Sequence, residues 1–303
     1  MVVSCSNRKS KPIPSSLCLR NVESRGFADR FRSWTEAIAS TAVDSVAAGD
    51  LYMGDHWSIA KNLTKQRDDR EIHLWICSAG YGLVRPSDKL KPYAVTFSPG
   101  QPDSVSSSSM QLGTWWDSLA DWKAPGTSSI RSLACAMQTH SSDQWMIALS
   151  RPYLAAIHND LLQGLSLLQS AKQLSIICAG ITGLPRLRSN LLPVDERHQE
   201  IVGGAKLSLN TRVLRWLLKE SVNLDYQSLE NFILSSSQDL KEPEKFNRLP
   251  FTDSELRQYL RQRLTGTNNL SHTSLLRELR AQGRACEQSR FSREFKSISA
   301  EVR

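Results

Sequence analysis

Four short apolar runs, separated by longer amphipathic segments, constrain the fold of this chain more than any other feature. The runs lie at residues 1–3, 72–76, 145–149 and 174–180. Strands that are apolar at consecutive positions are typical of parallel sheets whose two faces are both covered by helices. Amphipathic segments at 27–48 and 153–171 have the spacing of such helices. The sequence therefore predicts an α/β fold with a four-stranded parallel sheet.

The loops after these runs carry the side chains that a ligand site needs. The carboxyl ends of parallel strands meet at one edge of a sheet, where α/β proteins bind their ligands. The segment from Ser78 to Phe97 is the centre of the predicted pocket, and Tyr52 and His56 are either aromatic lining or core. The predicted edge collects small, polar and charged residues: Ser6, Asn7, Lys9, Ser78, Tyr81, Asp88, Tyr93, Ser150, Arg151 and Gly180.

The net charge indicates the class of partner. The chain of 303 residues carries a formal charge of +8 and has a pI near 9.3. Such a balance favours a polyanion, with nucleic acid ahead of a membrane surface. The alternative is a basic protein whose charges are simply solvated.

The cysteines and the hydropathy restrict cofactor and compartment. Six cysteines are scattered without a CxxC pair, so we expect no zinc or other metal site and no cofactor. Reduced thiols favour the cytoplasm. No apolar run approaches the length of a membrane span and no signal peptide is visible, so we expect no membrane association. Oligomeric state stays open.

A glycine-rich segment before a predicted helix is a candidate phosphate clamp. Gly203 and Gly204 precede Lys206 and Asn210, and backbone N–H groups and cations in such a loop can hold phosphates. The competing interpretation is an ordinary helix N-cap.

Composition changes near residue 223, where strand-like runs stop. We expect an α/β domain at 1–222 and an all-helical module at 223–303, with a polar linker at 242–247. A helix starting at Ser271, a turn at Gly283 and a helix with a basic outer face are typical of a helix-turn-helix. A helical packing module with a solvated face is the alternative.

A family resemblance rests on three motifs. Residues 4–9 (SCSNRK), the Leu51-Tyr52 pair, and residues 78–93, with SAGYGLV, Asp88 and Pro92-Tyr93, resemble a bacterial group of unknown-function domains with the pattern CSxxK, LY, SAxYGL, D, PY. The YGL, D, PY part resembles the peroxide-stress YaaA family. The opening loop is similar to domains attached to archaeosine synthases, which resemble the uracil-DNA glycosylase superfamily.

This resemblance covers about residues 1–215 and implies a three-layer sandwich around a four-stranded parallel sheet. It also implies similarity to antiviral proteins that excise modified bases from phage DNA. Two glycosylase motifs are missing. Ser6-Asn7-Arg8-Lys9 stands where a Gly-Gln-Asp-Pro-Tyr motif is usual, and Ala179-Gly180-Ile181 stands where a His-Pro-Ser-Pro motif is usual. The family's catalytic residues therefore do not transfer position by position.

The first hypothesis is a DNA glycosylase, which flips a base into a pocket and cuts its N-glycosidic bond. Such a site needs a carboxylate for the sugar cation and donors for the departing base. Asp88 is the first candidate carboxylate, Asp103 the second and Asp195 the third, although Asp88 also suits a turn. The predicted base pocket consists of Ser4, Ser6, Asn7, Lys9, Ser78, Tyr81, Gly82, Tyr93 and Thr96.

The predicted partner is DNA, single- or double-stranded, held by cations and one amide. These residues are Arg151, Arg186, Arg188, Lys206, Asn210, Arg284, Arg290 and Arg293. Two other hypotheses stay open at this point. One is a non-catalytic DNA-binding stress or damage factor, and the other is a protein that handles RNA bases.

Overall fold

The structure, a computed structural model, describes residues 1–24, 26–181, 184–241, 249–265 and 270–302. The chain divides into two compact units, Met1–Lys241 and Glu242–Arg303. The boundary predicted after residue 222 falls too early, because the helix Tyr226–Ser236 buries Leu229 and Ile233 in the core of the first unit. The linker predicted at 242–247 lies outside the described residues.

The elements are numbered in chain order. The strands are β1 Val2–Ser4, β2 Val46–Ala47, β3 Trp75–Ser78, β4 Gly82–Val84, β5 Lys89–Leu90, β6 Trp145–Ala148, β7 Leu174–Ile177, β8 Leu249–Pro250 and β9 Arg284–Ala285. The α-helices of the first unit are α1 Phe27–Ser40, α2 Ala48–Leu51, α3 Asp55–Ala60, α4 Ser109–Asp121, α5 Leu133–Thr139, α6 Arg151–Ala156, α7 His158–Leu165, α8 Gln199–Val202, α9 Leu209–Glu220 and α10 Tyr226–Ser236. Those of the second unit are α11 Asp253–Leu264, α12 His272–Ala281 and α13 Gln288–Val302.

The central sheet has five strands in the order β4-β3-β1-β6-β7. Four of them, β3, β1, β6 and β7, are parallel and correspond to the four predicted runs. The fifth strand, β4, runs antiparallel to β3, where the sequence predicts only a loop. Gly82 has a φ of 78°, and the Ser78 hydroxyl accepts a hydrogen bond from the Tyr81 backbone N–H at 3.0 Å. This tight turn reverses the chain.

Both faces of the sheet are covered. Val2 and Val3 of β1 and Ile76 and Cys77 of β3 have no exposed surface. Because successive side chains of a strand point to opposite faces, burial of neighbours requires cover on each side. Helix α9 packs against β6 and β7, and α4 packs against β4.

Two helices are shorter than the amphipathic segments that predict them. The helix predicted at 27–48 ends at Ser40, where the Lys91 ammonium donates hydrogen bonds of 2.7 Å to the carbonyls of Ile38 and Thr41. Those carbonyls lie at the helix end and have no helical partner. The helix predicted at 153–171 is two helices, α6 and α7, that meet at Ile157.

The second unit is not all-helical as predicted. Its three helices enclose a core, and β8 and β9 form a short parallel pair in which Leu249 lies beside Arg284. Thr252 and Glu255 form a capping box at the start of α11, and Ser271 caps α12 as predicted. The core consists of Leu256, Leu260, Leu275, Leu276, Leu279, Cys286, Phe291 and Ile298.

No helix among the described residues is long and apolar enough to cross a membrane.

Candidate functional site at the carboxyl edge of the sheet

The register of the parallel strands brings two loops together. Ser4, the last residue of β1, lies beside Cys77, and β3 ends one residue later at Ser78. On the other side of β1, Val3 lies beside Ala148 at the end of β6. The segment after β1 therefore runs along the edge where β3 and β6 end, as the sequence predicts.

Beneath this segment lies a buried chain of hydroxyl groups. The Ser78 hydroxyl lies 2.6 Å from the Tyr93 hydroxyl, which lies 2.9 Å from the Tyr52 hydroxyl. All three side chains are buried. Burial raises the pKa of both tyrosines well above the usual value. They therefore remain neutral and act as hydrogen-bond donors and acceptors.

A second hydroxyl lies on the β6 side of the same edge. The Tyr153 hydroxyl lies 3.3 Å from the Cys5 sulfur, and both side chains are buried. The Tyr153 ring packs edge-on against Phe97 at 5.1 Å between centroids. Burial raises the pKa of Tyr153 well above its usual value, so this phenol is also neutral.

Lys9 lies over the rings of the two buried tyrosines, Tyr93 and Tyr52. Its ammonium donates a hydrogen bond of 2.5 Å to the Ser6 carbonyl and lies 4.3 Å from the centre of the Tyr93 ring and 5.2 Å from that of Tyr52. A backbone bridge between Lys9 and Tyr52 fixes the loop. Among the described residues, no carboxylate lies within ion-pair distance of this amine.

The environment of Lys9 changes its protonation. Burial disfavours the charged form and lowers the pKa of Lys9 to about 8, with a smaller opposing effect from the Cys5 thiol. At pH 7 about a tenth of such amines are neutral. A neutral lysine is a nucleophile or a general base, which an ordinary surface lysine is not.

We name Lys9, Ser78, Tyr52, Tyr93, Tyr153 and Cys5 the lysine–tyrosine cluster. The sequence predicts Lys9, Ser78 and Tyr93 as site residues and leaves Tyr52 between lining and core. It does not name Tyr153 as a site residue, and Cys5 enters only as part of the CSxxK motif. The signal that finds them is position, because Cys5 directly follows β1 and Tyr153 lies in the first turns after β6.

The remaining residues of the opening loop lie at the rim. The Ser6 hydroxyl donates a hydrogen bond of 2.5 Å to the Met53 carbonyl and accepts one from the Arg8 backbone N–H at 3.2 Å. Asn7 is exposed. Ser6 is therefore engaged in holding the loop, whereas the Asn7 amide is open to solvent.

Ser4 belongs to a neighbouring network. The His56 Nε2 lies 2.9 Å from the Ser4 carbonyl and 3.3 Å from its hydroxyl, and the Thr211 hydroxyl lies 2.7 Å from His56 Nδ1. Burial lowers the pKa of His56. A neutral imidazole that donates from Nε2 and accepts at Nδ1 satisfies all three contacts and ties α3 and α9 to the end of β1.

The aromatic stacking that the sequence predicts does not occur in this state. Tyr81 and Tyr93 have at most 1% of their surface exposed, so neither ring presents a face to a base. The Tyr81 hydroxyl accepts a hydrogen bond from the Lys91 backbone N–H at 3.2 Å. Gly82 forms the turn into β4, and Thr96 is buried and accepts a bond from the Ser98 N–H. Tyr81, Gly82 and Thr96 therefore have structural roles next to the site.

Asp88 has a structural role in the loop after β4. Because β4 is antiparallel, with Val84 beside Ile76, the chain beyond Val84 leaves the carboxyl edge. The buried Asp88 carboxylate accepts hydrogen bonds from the backbone N–H groups of Arg85, at 2.9 Å, and Ser128, at 3.2 Å. These contacts fit the turn residue that was the alternative to a catalytic Asp88.

The other two predicted carboxylates are also occupied. Asp103 accepts a hydrogen bond of 3.1 Å from the Arg20 backbone N–H and pairs with the Arg20 guanidinium at 3.5 Å. Asp195 caps the short helix Glu196–His198 and pairs with Arg197 at 2.8 Å. None of the three predicted aspartates belongs to the lysine–tyrosine cluster.

The residues of the first unit that the sequence predicts as phosphate contacts differ in whether they are exposed or already bonded within the fold. Arg186 and Arg188 are exposed, and Arg151 is exposed with one bond of 3.4 Å to the Gly180 carbonyl. Lys206 pairs with Glu196 at 2.6 Å. Asn210 instead bridges the ends of β6 and β7, since its amide accepts from the Ala179 N–H and donates to the Leu149 carbonyl, each at 2.9 Å.

In the second unit, all three predicted DNA-binding arginines are ion-paired. Arg284 pairs with Glu255 at 2.6 Å and lies 4.3 Å from the centre of the Phe251 ring. Arg290 pairs with Asp253 at 2.5 Å. Arg293 pairs with Glu294 at 3.5 Å, although 72% of its side chain is exposed. The outer face of α13 is therefore less cationic than its sequence indicates.

Comparison with protein-family models, with curated proteins and with solved structures finds no match to this chain.

Proposed function

We propose that this chain is a DNA glycosylase whose reacting group is the amine of Lys9. The observation that carries the proposal is the half-buried Lys9, with a pKa of about 8 and no carboxylate partner among the described residues, at the carboxyl edge of a parallel sheet. This edge is where α/β enzymes bind substrates. The resemblance of residues 4–9 and 78–93 to glycosylase-like domains supplies the substrate class.

The chemistry follows from a neutral amine. After the target nucleotide is flipped out of the duplex, the Lys9 nitrogen attacks C1′ of its deoxyribose. The bond between C1′ and the base breaks, and its electrons leave with the base, which takes up a proton. The nitrogen loses a proton, the sugar ring opens, and an imine joins Lys9 to C1′. Water hydrolyses this imine, which restores the amine and leaves an abasic site.

The rest of the cluster prepares Lys9 for this role. The buried rings of Tyr52 and Tyr93 remove water from one side of the amine and so lower the pKa. The Ser6 carbonyl orients the nitrogen through a hydrogen bond of 2.5 Å. The exposed Asn7 amide lies two residues away and is our candidate donor to the departing base.

Affinity for the polyanion is proposed to come from both units, each considered by itself. In the first, Arg151, Arg186 and Arg188 are exposed cations in the segments that follow β6 and β7. The second unit has twelve Lys and Arg residues against eight Asp and Glu residues. Binding through such charges releases counterions from the DNA, so the affinity falls as the salt concentration rises. The free cysteines suit a reducing compartment, and we propose the cytoplasm.

Imine trapping tests this proposal. The chain is incubated with phage DNA and with duplexes that carry deaminated, oxidised or alkylated bases, in the presence of borohydride. Reduction of the imine should leave a covalent protein–DNA adduct, and parallel samples without borohydride should contain abasic sites. Lys9→Met should abolish both products. Lys11→Met is the matched control, because Lys11 is an exposed lysine of the same loop, and it should retain both.

Absence of adduct and of abasic sites on every substrate, with salt-sensitive DNA binding intact, would overturn the catalytic proposal. That outcome favours the second candidate, a non-catalytic DNA-binding protein. One observation supports this candidate: the three predicted aspartates all serve loops or caps instead of the cluster.

A further inference from the structure

A second group of reactive side chains lies at the opposite end of the sheet. His73 comes just before β3, and His140 and Asp143 come just before β6. Because β1 lies between β3 and β6, the two loops flank the start of β1 and face one another across it. The sequence offers no metal motif here, since the two histidines come from distant loops.

The donor atoms of these residues converge. One ring nitrogen from each histidine and one carboxylate oxygen of Asp143 all lie within 4.8 Å of one another. The His140 Nδ1 lies 3.3 Å from an Asp143 oxygen, and the two imidazole centres are 5.1 Å apart. Glu71 adds a carboxylate oxygen 3.8 Å from His73 Nε2.

The fold explains why these groups meet. His140 follows the last turn of α5, and its backbone N–H donates to the Ala136 carbonyl. The Asp143 backbone N–H donates in turn to the His140 carbonyl at 3.2 Å, which places the two side chains on the same turn. The His140 ring packs edge-on near Trp75, the first residue of β3, at 6.5 Å. His140 and Asp143 are thus positioned by the backbone, independent of any bond between their side chains.

A cavity of about 260 Å³ opens beside the group, and His73, His140, Asp143 and Glu71 all contribute to its wall. The histidines are half-buried, and the Asp143 side chain is 46% exposed. The donors therefore have both solvent access for an incoming ion and freedom to rotate toward it.

We propose that His73, His140 and Asp143 bind a divalent transition-metal ion of the Zn²⁺ class, with a fourth position that faces the cavity. Two imidazoles and one carboxylate are ligands that zinc and its neighbours accept, whereas Mg²⁺ and Ca²⁺ prefer oxygen atoms alone. Around a tetrahedral zinc with bonds near 2.0–2.1 Å, ligand atoms are about 3.3 Å apart. The ligand atoms of His140 and Asp143 are already at this separation. Rotation of the side chains would bring the His73 ring nitrogen to the same distance from both.

Glu71 or water occupies the fourth position. Glu71 is 84% exposed, so its carboxylate can swing onto the ion or leave the position open to the cavity. An ion with an open position is a Lewis acid, and this one lies at the opposite end of the sheet from Lys9.

Metal titration of the whole chain tests the site. After treatment with a chelator, the chain is titrated with Zn²⁺ by calorimetry and with Co²⁺ by visible absorption. We expect one equivalent of either ion and the intense ligand-field bands of tetrahedral or five-coordinate Co²⁺. Mg²⁺ should neither bind nor compete. His140→Ala and Asp143→Ala should each weaken Zn²⁺ binding at least 10-fold, and a double variant should abolish the Co²⁺ bands.

His272→Ala is the control, because it removes a histidine of the second unit and should leave both titrations unchanged. Circular dichroism of each variant, recorded without metal, should match the unaltered chain. The proposal fails if the unaltered chain binds no Zn²⁺. It also fails if His140→Ala, Asp143→Ala and their double variant retain full Zn²⁺ affinity while folded.

Discussion

The two ends of the central sheet differ in how their polar groups are held. At the carboxyl edge, Ser78, Tyr93 and Tyr52 are buried, and their hydroxyls form a continuous chain with separations of 2.6 and 2.9 Å. At the amino edge, His73, His140 and Asp143 border an open cavity with donor atoms up to 4.8 Å apart. The hydroxyl chain at the carboxyl edge is already formed without a ligand. In our proposal, the three side chains at the amino edge move together only when they bind an ion.

This difference has an energetic consequence. A buried hydroxyl group that loses its partner is left without a hydrogen bond, which destabilises the folded state. An exposed group forms a hydrogen bond with water instead. Substitutions at the carboxyl edge should therefore reduce the free energy of unfolding, and substitutions at the amino edge should affect ligand binding alone. Four substitutions or conditions test this contrast, in order of decreasing effect.

Gly80→Ala should destabilise the chain most, by about 3 kcal/mol. A Cβ at Gly80 would lie 2.6 and 2.7 Å from two ring carbons of Tyr93 and 3.2 Å from Trp34, and both rings are buried. Chemical denaturation measures the loss. Gly113→Ala in α4 is the control, because a Cβ there meets nothing nearer than 4.0 Å. It should instead stabilise by about 0.5–1 kcal/mol. Equal effects of the two substitutions would contradict the tight packing of the edge.

Alkaline pH should stabilise the chain through Lys9. Its pKa is about 8 in the folded state and 10.5 when unperturbed, so between these values the unfolded state binds more protons. Stability then rises with pH, by roughly 2–3 kcal/mol over this window. The measurement is the difference in unfolding free energy between the unaltered chain and Lys9→Met, which removes the contributions of other titrating groups. A difference that stays constant from pH 8 to 10.5 would show that Lys9 has an ordinary pKa.

Tyr93→Phe should cost about 1–3 kcal/mol, because it leaves the Ser78 and Tyr52 hydroxyls without their shared partner. Denaturation with urea measures this cost. Tyr259→Phe serves for comparison, since the hydroxyl of the half-buried Tyr259 donates a bond of 3.3 Å to the Leu275 carbonyl. Its loss should be below about 1 kcal/mol. A smaller effect at Tyr93 than at Tyr259 would argue against a cooperative hydroxyl chain.

Asp143→Asn should change the free energy of unfolding by less than about 0.5 kcal/mol in metal-free buffer, as expected for an exposed side chain. Thermal or chemical unfolding in the presence of a chelator checks this value. A loss of 2 kcal/mol or more, by the same order-of-magnitude argument, would mean that the amino edge is as rigid as the carboxyl edge.

The sequence is sufficient to predict the part of this architecture that depends on local pattern. Runs such as 145–149 are apolar at every position, which identifies buried parallel strands, and strand ends then locate Lys9, Ser78 and Tyr93 at one edge. The role of Asp88 as a turn residue, which was one of its two predicted roles, and helix caps such as Ser271 also follow from local chemistry.

What the sequence does not reveal is the direction of chain segments and the pairing of distant side chains. Asp88 lies ten residues after Ser78, yet the antiparallel β4 carries it away from the edge. Arg284 and Arg290 are cations in the sequence, but acids of α11 neutralise them in the fold. Local periodicity contains no information on such long-range pairs.

The measurement that tests the central claim most directly is peptide mapping of the borohydride-reduced adduct. After digestion of protein and DNA, mass spectrometry should find the residual sugar mass on the peptide that contains Lys9, and on no other lysine. An adduct on a different residue, or abasic sites formed without any adduct, would contradict a reaction carried by Lys9.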